Sequence, residues 1–481
     1  MHRRYTITMM DKLLKRDGPG NKFYDLGYQP FWPPTEEAPE LESGQNLSKM
    51  DNTPVMSTLP NGVRVITQPN NVPGQMYMNI LLGVGSRDET PETSGSLHSI
   101  KVTRYKSALV TNETVNHGMV QMSGGNYTMN FDREAASFSA SCLDHDVVDI
   151  FSMMADCALE PRTLLAANVA LQKLGHSHKL MRATNGHHDL DDMIMSNIYG
   201  YQGLGNKVLG EQSNIKNLNA FTLQKFQIDN YATDKMVVSA FGVQNHDEFL
   251  ELVDMKLGDL EHFNTTNNSR TSSVFKENRL VIPENSNSAN MVVCWEGGSW
   301  SSPELLTLQL MDTLLGGVEV NHFDSLLLPE GQLYDQFYLN ETSVNAVESF
   351  SQHYTDTGIF GLRMNVQAQV GPEALTRLLQ TVKSCVTGVT EEQFVSAKQR
   401  LRMRVLRALD NPSTRTEEMS RNVLTMEKVV FNDFLTNLDA LNRKTFTTQA
   451  QKVLKGKMNV TAVGGNVENV PELSALKKLV A

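Results

Sequence analysis

Gly95-Ser96-Leu97-His98-Ser99-Ile100-Lys101-Val102 is the stretch on which the reading of this chain turns. An inverted zinc motif, H-x-x-E-H, sets two imidazoles on one helical face with a carboxylate between them as general base. His98 holds the first position, but Lys101 stands where the glutamate belongs and Val102 where the second histidine belongs. Zinc wants three neutral or anionic protein ligands, and an ammonium one turn away opposes a dication. The stretch has the spacing of a metal-binding helix without its donors. Eight residues alone do not exclude a surface segment carrying one of the twelve histidines, so the surrounding chain decides.

On the amino-terminal side, Leu59-Pro60-Asn61-Gly62 is a turn before the alternating strand Val63 to Ile66, and Met76 to Val84 is a second strand with the polar exit Gly85 to Glu89. On the carboxyl side a helical stretch runs to Met122. Ser123-Gly124-Gly125 then opens a strand pair with Asp132-Arg133-Glu134 at its turn. Val147, Val148, Ile150, Phe151 and Met154 recur at helical spacing between Asp144 and Leu159, and Glu160-Pro161-Arg162 closes that helix.

The polar run Asn264 to Ser273 reads as a linker, and the segments on its two sides repeat one another. Lys235-Met236-Val237-Val238 recurs as Lys457-Met458-Asn459-Val460, an offset of 222 (457 − 235). Arg64-Val65-Ile66 recurs as Arg279-Leu280-Val281 at 215 (279 − 64), and Gly85-Ser86 as Gly298-Ser299 at 213 (298 − 85). Three repeats in one order at nearly one offset predict a duplicated α+β protein. Its parts are an N-terminal extension (1–55), a first domain (56–263), a linker (264–276) and a second domain (277–481).

The 481 residues suffice for two full cores, and 43 Lys plus Arg against 54 Asp plus Glu leave a net charge of −11. That balance argues against a general nucleic-acid binder. Cys142, Cys157, Cys294 and Cys385 form no C-x-x-C pair and read as reduced, buried thiols. No apolar run reaches the roughly 18 residues that span a bilayer. The basic start, Met1 to Arg16, fits a mitochondrial targeting segment and a basic docking arm equally. Residues 17 to 55, with Phe31 and Trp32 among prolines and acids, read as an extended arm.

The order of these stretches, with Tyr231 to Met236, Tyr354 to Gly361 and Arg415 to Arg421, resembles the pitrilysin-type family of inverted-motif zinc peptidases over residues 55 to 481. Within it the chain is similar to the α-type subunit of the mitochondrial processing peptidase and to core protein 2 of respiratory complex III. The resemblance implies two homologous domains, each a mixed sheet packed with helices. Active relatives add a glutamate ligand about 75 residues beyond the motif, whereas residues 163 to 188 contain no Asp or Glu, only His176, His178, His187 and His188. It therefore implies no zinc, no cofactor and no catalysis. It further implies a peripheral subunit on the matrix side of the mitochondrial inner membrane, with a β-type partner, cytochrome b and cytochrome c1 as neighbours and presequence peptides as candidate ligands. The α-type subunits carry a glycine-rich loop that handles presequences. Gly316 and Gly317 are its remnant here, in a sequence that otherwise reads as a helix cap.

Overall fold

The alternation in Ala-Ser-Phe-Ser-Ala-Ser-Cys-Leu over Ala136–Leu143 sorts two environments onto the two faces of one strand. Phe138, Ala140 and Cys142 enter a hydrophobic core. Ser137 and Ser139 lie on the other face and donate to the Asn79 side-chain oxygen at 2.9 and 3.3 Å. The computed structural model describes residues 53–70, 74–102, 113–159, 186–211, 213–214, 217–260, 270–318, 331–338 and 341–480, and it builds this two-faced pattern twice.

The first sheet comprises β1 (Val55–Thr58), β2 (Arg64–Gln68), β3 (Gln75–Leu82), β4 (Asn126–Phe131), β5 (Ala136–Leu143) and β6 (Met236–Phe241), in the order β1-β2-β6-β3-β5-β4. The second comprises β7 (Arg279–Pro283), β8 (Ser288–Gly297), β9 (Gly317–Val318), β10 (Val344–His353), β11 (Gly358–Gln367) and β12 (Met458–Gly464), in the order β7-β12-β8-β11-β10-β9. In each, the last strand of the half inserts centrally, parallel to one neighbour and antiparallel to the other. Leu82 pairs with Met236 as Trp295 pairs with Met458, which gives offsets of 213 (295 − 82) and 222 (458 − 236). The predicted duplication and α+β class are therefore present in the strand registers.

The described helices are α1 (Ser96–Val102), α2 (Glu113–Met122), α3 (Val147–Leu159), α4 (Gly186–Tyr199), α5 (Ala220–Asn230) and α6 (His246–Leu257) in the first half. In the second they are α7 (Leu305–Leu315), α8 (Gly371–Thr387), α9 (Glu391–Asp410), α10 (Pro412–Met426), α11 (Phe431–Ala440), α12 (Arg443–Leu454) and α13 (Leu473–Val480). The boundary between α9 and α10 follows from Asn411-Pro412. A residue before proline leaves the helical region, and the Asn411 side chain then accepts from the Ser413 and Thr414 N–H groups.

Each sheet has one face covered from its own half and the other from the opposite half. Met78, Ile80, Phe138 and Val238 pack with Ile150, Phe151, Phe249 and Val253 of α3 and α6. The reverse face, with Ile66, Val237 and Phe241, takes Met419 and Val423 of α10 from the second half. Conversely, Val292, Cys294, Ile359 and Val463 of the second sheet take Leu190, Ile194 and Ile198 of α4 from the first half. Burying such side chains stabilises by about 1.5–3 kcal/mol each. Both contacts carry a buried polar seam. Asn79 donates to the Ser420 hydroxyl (3.0 Å) under α10, and Asn197 of α4 donates to Asn459 (2.7 Å) and Thr461 (3.0 Å).

Several sequence readings lie outside the described residues: 1–52 of the extension, 160–185 with His176 and His178, 261–269 of the linker, and the side chains of His187 and His188.

Candidate functional site

The motif helix α1 is short, and its start is fixed from outside. Glu89, buried at the end of the β3 exit loop, accepts from the N–H of Gly95 (2.8 Å) and of Leu97 (3.0 Å). Gly95 supplies the positive φ (+92°) that the entry turn requires. The Ser96 and Ser99 hydroxyls donate to the carbonyls of Thr93 (2.6 Å) and Gly95 (3.0 Å).

His98 is 1 % exposed, and its ring lies 6.4 Å from that of Phe131, the last residue of β4. Lys101 reaches the same ring, its Nζ 5.7 Å from the centroid, and donates to the Asn130 side chain at 3.2 Å. The His98 ring thus faces a phenyl ring that also carries the Lys101 ammonium, and Val102, the next residue of the helix, has no donor atom. That donor set does not fit zinc, which needs three nitrogen, oxygen or sulfur ligands and an open water position. Among the described residues no group of three His, Cys, Asp or Glu could hold a metal ion.

Burial pushes the Glu89 carboxyl up to about 8, with Asp88 adding to it and the N–H donors of Gly95 and Leu97 opposing. A folded pKa above the ordinary 4.5 means that the folded state holds its proton more tightly than the unfolded chain. Its contribution is therefore complete below about 4.5 and is lost as pH rises to about 8. Urea unfolding at pH 5.5 and 8.5 should show wild type losing on the order of 2 kcal/mol more across the interval than Glu89→Gln. Equal losses would remove Glu89 as the titrating group.

A cavity of about 610 Å³ lies where the halves meet, lined by Phe131 to Glu134, by Asp191, Asp192 and Met195 of α4, by Trp300, by Phe350 to Tyr354, and by Arg404 and Arg421. Its charges are closed into pairs: Arg133 with Asp192 (2.7 Å), Arg421 with Asp132 (3.0 Å) and Arg404 with Asp312 (3.1 Å). Beside it, Arg87 reaches Glu134 (2.6 Å) and holds both oxygens of Asp356 (2.9 and 2.7 Å). Arg270 holds both oxygens of Asp88 (2.8 and 2.7 Å), and Thr355 donates from its N–H and hydroxyl to Glu134 (2.9 and 2.7 Å). The β3 exit, the β4–β5 turn, the connection at Arg270 and the β10–β11 turn are thereby tied together. His353 also borders the cavity. Because a carbonyl only accepts, its Nδ1–H donates to the Gly298 carbonyl (2.9 Å), and burial holds the imidazole below its ordinary pKa.

Gly316 caps α7, its N–H donating to the Asp312 carbonyl (2.8 Å) at φ +59°. Gly317 begins β9 at φ +142°, so close to β10 that a Cβ would lie 2.1 Å from the Val347 carbonyl oxygen. A side chain at Gly317 is excluded by this approach. The sequence motifs around Asp132 and Asp356 were read for their order alone, and their joint role emerges only in the fold. His353 and Trp300 carried no sequence signal.

Two duplicated α+β halves, each lending a helix to the other, with a histidine-bearing helix against the first sheet, are the build of a two-domain metallopeptidase relative. Residues 64–212 match the model of the insulinase family, peptidase family M16, and residues 217–401 match the peptidase M16 inactive domain. The chain belongs to the M16 peptidase family. It is 26 % identical to the mitochondrial-processing peptidase subunit alpha of Solanum tuberosum, over 88 % of this chain and 84 % of that one. It is 24 % identical to a probable mitochondrial-processing peptidase subunit beta of Arabidopsis thaliana, over 97 % of this chain and 87 % of that one. A chain of complex III2 from Candida albicans, Inz-5 bound, superposes with a TM-score of 0.75 at 16 % identity, covering 89 % of this chain and 99 % of that one.

Proposed function

We propose that the chain is a non-catalytic core subunit of mitochondrial respiratory complex III, held on the matrix side of the inner membrane and paired with a β-type M16 partner. The observation that carries the non-catalytic reading is the donor set of α1, where Lys101 and Val102 stand in place of a carboxylate and a second imidazole and the His98 ring faces Phe131. At neutral pH an ammonium cannot serve as general base. The likeness in fold to a complex III2 chain supports the assembly. No helix among the described residues is long and apolar enough to cross a membrane; attachment in this reading runs through neighbours such as cytochrome b and cytochrome c1.

A second reading, a substrate-binding α subunit of the mitochondrial processing peptidase, is supported by the Solanum tuberosum relative. In it Gly316 and Gly317 would be what remains of a presequence-handling loop. Their engagement in a helix cap and a strand pair gives weight to the scaffold instead. Purification of the tagged chain from its own mitochondria in mild detergent should bring down cytochromes b and c1 with their haem spectra. A soluble heterodimer without cytochromes would favour the processing reading. The isolated chain should retain substoichiometric zinc after dialysis and leave a basic presequence peptide intact, whereas cleavage abolished by His98→Ala would overturn the non-catalytic assignment.

A further inference from the structure

Helix α9 (Glu391–Asp410) turns one side to the core of the second half, where Phe394, Ala397 and Leu401 are buried. An α-helix advances about 100° per residue, so Val395, Gln399, Met403, Leu406 and Asp410 fall within one arc of about 80° on the opposite side. All five are exposed. Three are large and apolar: Met403 is 50 % exposed, Val395 43 % and Leu406 37 %. Sharing one helix and one face, these three form a single stripe roughly 17 Å long.

The stripe is edged with cations in a chain whose net charge is −11. Between Glu392 and Asp410 the helix carries Lys398, Arg400, Arg402, Arg404 and Arg407 and no acid. The helix dipole favours cations in the last turn, which holds Arg407 alone, so the helix itself does not account for the other four. Two of these are engaged within the fold. Lys398 donates to the carbonyls of Asp439 (3.0 Å) and Leu441 (3.1 Å), and Arg404 reaches Asp312 (3.1 Å). Arg402 and Arg407 border the stripe on its two sides. Arg407 is exposed, and Arg402 meets Asp439 at 3.2 Å in a pair whose side chains are 47 % and 58 % exposed. So open a pair stabilises little and leaves the guanidinium available.

We propose that the outer face of α9 is a docking surface for an acidic amphipathic helix of another protein, whose apolar side chains cover Val395, Met403 and Leu406 while its carboxylates meet Arg402 and Arg407. Charge complementarity selects the occupant. A guanidinium at the edge of an apolar stripe matches a carboxylate through two parallel N–H···O bonds, whereas a basic peptide meets like charge at this face. An apolar centre of methionine and leucine with arginine at the rim is the anatomy of a contact between proteins, and the i, i+4 spacing suits a second helix. A second copy of this chain in a two-fold contact would set the same arginines against each other. An anionic bilayer is the poorer match. Seating a helix there takes apolar side chains that reach about 5–10 Å inward, but at least half of Val395, Met403 and Leu406 is covered by their own fold. The surface is independent of the assignment to complex III.

The test uses the full chain and a fluorescein-labelled peptide of leucine and glutamate in amphipathic helical order, about 20 residues long to match α9. The acidic peptide should bind saturably in the range of about 10–100 μM, weakly because the patch is small. Met403→Gln/Leu406→Gln, which keeps every charge, should weaken binding about tenfold. Arg402→Gln/Arg407→Gln should weaken it about fivefold and remove most of its salt dependence. Glutamine is a good helix former and all four side chains are at the surface, so both double variants should melt with wild type. No saturable binding up to about 1 mM, or unchanged affinity in either double variant, would overturn the proposal. Vesicles rich in phosphatidylglycerol and a concentration series in sedimentation velocity address the other occupants, and Met403→Gln/Leu406→Gln should match wild type in both. Vesicle binding or self-association lost in that variant would overturn the acidic helix in favour of a lipid surface or a second copy.

Discussion

Arg87→Ala should destabilise the chain by about 3–5 kcal/mol, the range for removing one member of a buried ion pair. Its guanidinium side chain is 3 % exposed and faces two carboxylates, Glu134 at 2.6 Å and Asp356 at 2.7 Å. Deleting it leaves Glu134, itself 9 % exposed, with Arg270 at 3.8 Å as its remaining cation among the described residues and the donors of Thr355, and leaves Asp356 with the N–H of Ser273. The cost is mainly that of carboxylates left buried without their cation, so the Arg87→Ala/Glu134→Ala double variant should be less destabilised than the two single losses summed. Arg87→Lys should recover only part of the loss, since an ammonium cannot present two parallel N–H groups to Asp356. Chemical denaturation of the four proteins measures the cycle. Strict additivity would show that Arg87 and Glu134 do not act as a pair.

Met419→Ala should cost about 2–5 kcal/mol, as large-to-small changes in a core do, and its effect should cross the duplication. Met419 is 0 % exposed and belongs to α10 of the second half, yet the surface it covers is the first sheet around Ile66, Val237 and Phe241. Hydrogen exchange should therefore quicken in β2 and β6, while β11 keeps its protection. Ile198→Ala in α4 should give the mirror result and loosen β8 and β11, because Ile198 packs with Val292, Cys294 and Ile359. Loss of protection confined to the half that carries the substitution would contradict the exchange of helices.

The duplicated plan was legible because strand sequences keep their register. The offsets of 213 and 222 residues between repeats reappear in the pairs Leu82–Met236 and Trp295–Met458. The third repeat slipped. Arg64 pairs with Val237 but Arg279 with Val460, an offset of 223 (460 − 237), so similar triplets mark the right strands one residue out of step. The degenerate motif was legible residue by residue, since Lys101 and Val102 are not donors whatever surrounds them. What fills the space beside His98 was not, because Phe131 lies on a strand that sequence alone cannot place under a helix. The partners of α4 and α10 were hidden for a similar reason. An amphipathic helix records that one face is buried, not which sheet buries it. The clamp was beyond reach as well, since Arg87 and Asp356 are 269 positions apart.

The exchanged helices also set an order of events when the chain first appears. The first sheet is complete in sequence at Phe241, but the helix that covers its second face ends only at Met426, 185 residues later (426 − 241). At the roughly 5–20 residues per second of ribosomal synthesis, that face stays uncovered for about 10–40 s. The second sheet waits longer, because its central strand β12 spans Met458–Gly464. Until its last strand arrives, a growing chain of this design carries apolar sheet surface that only later segments can cover.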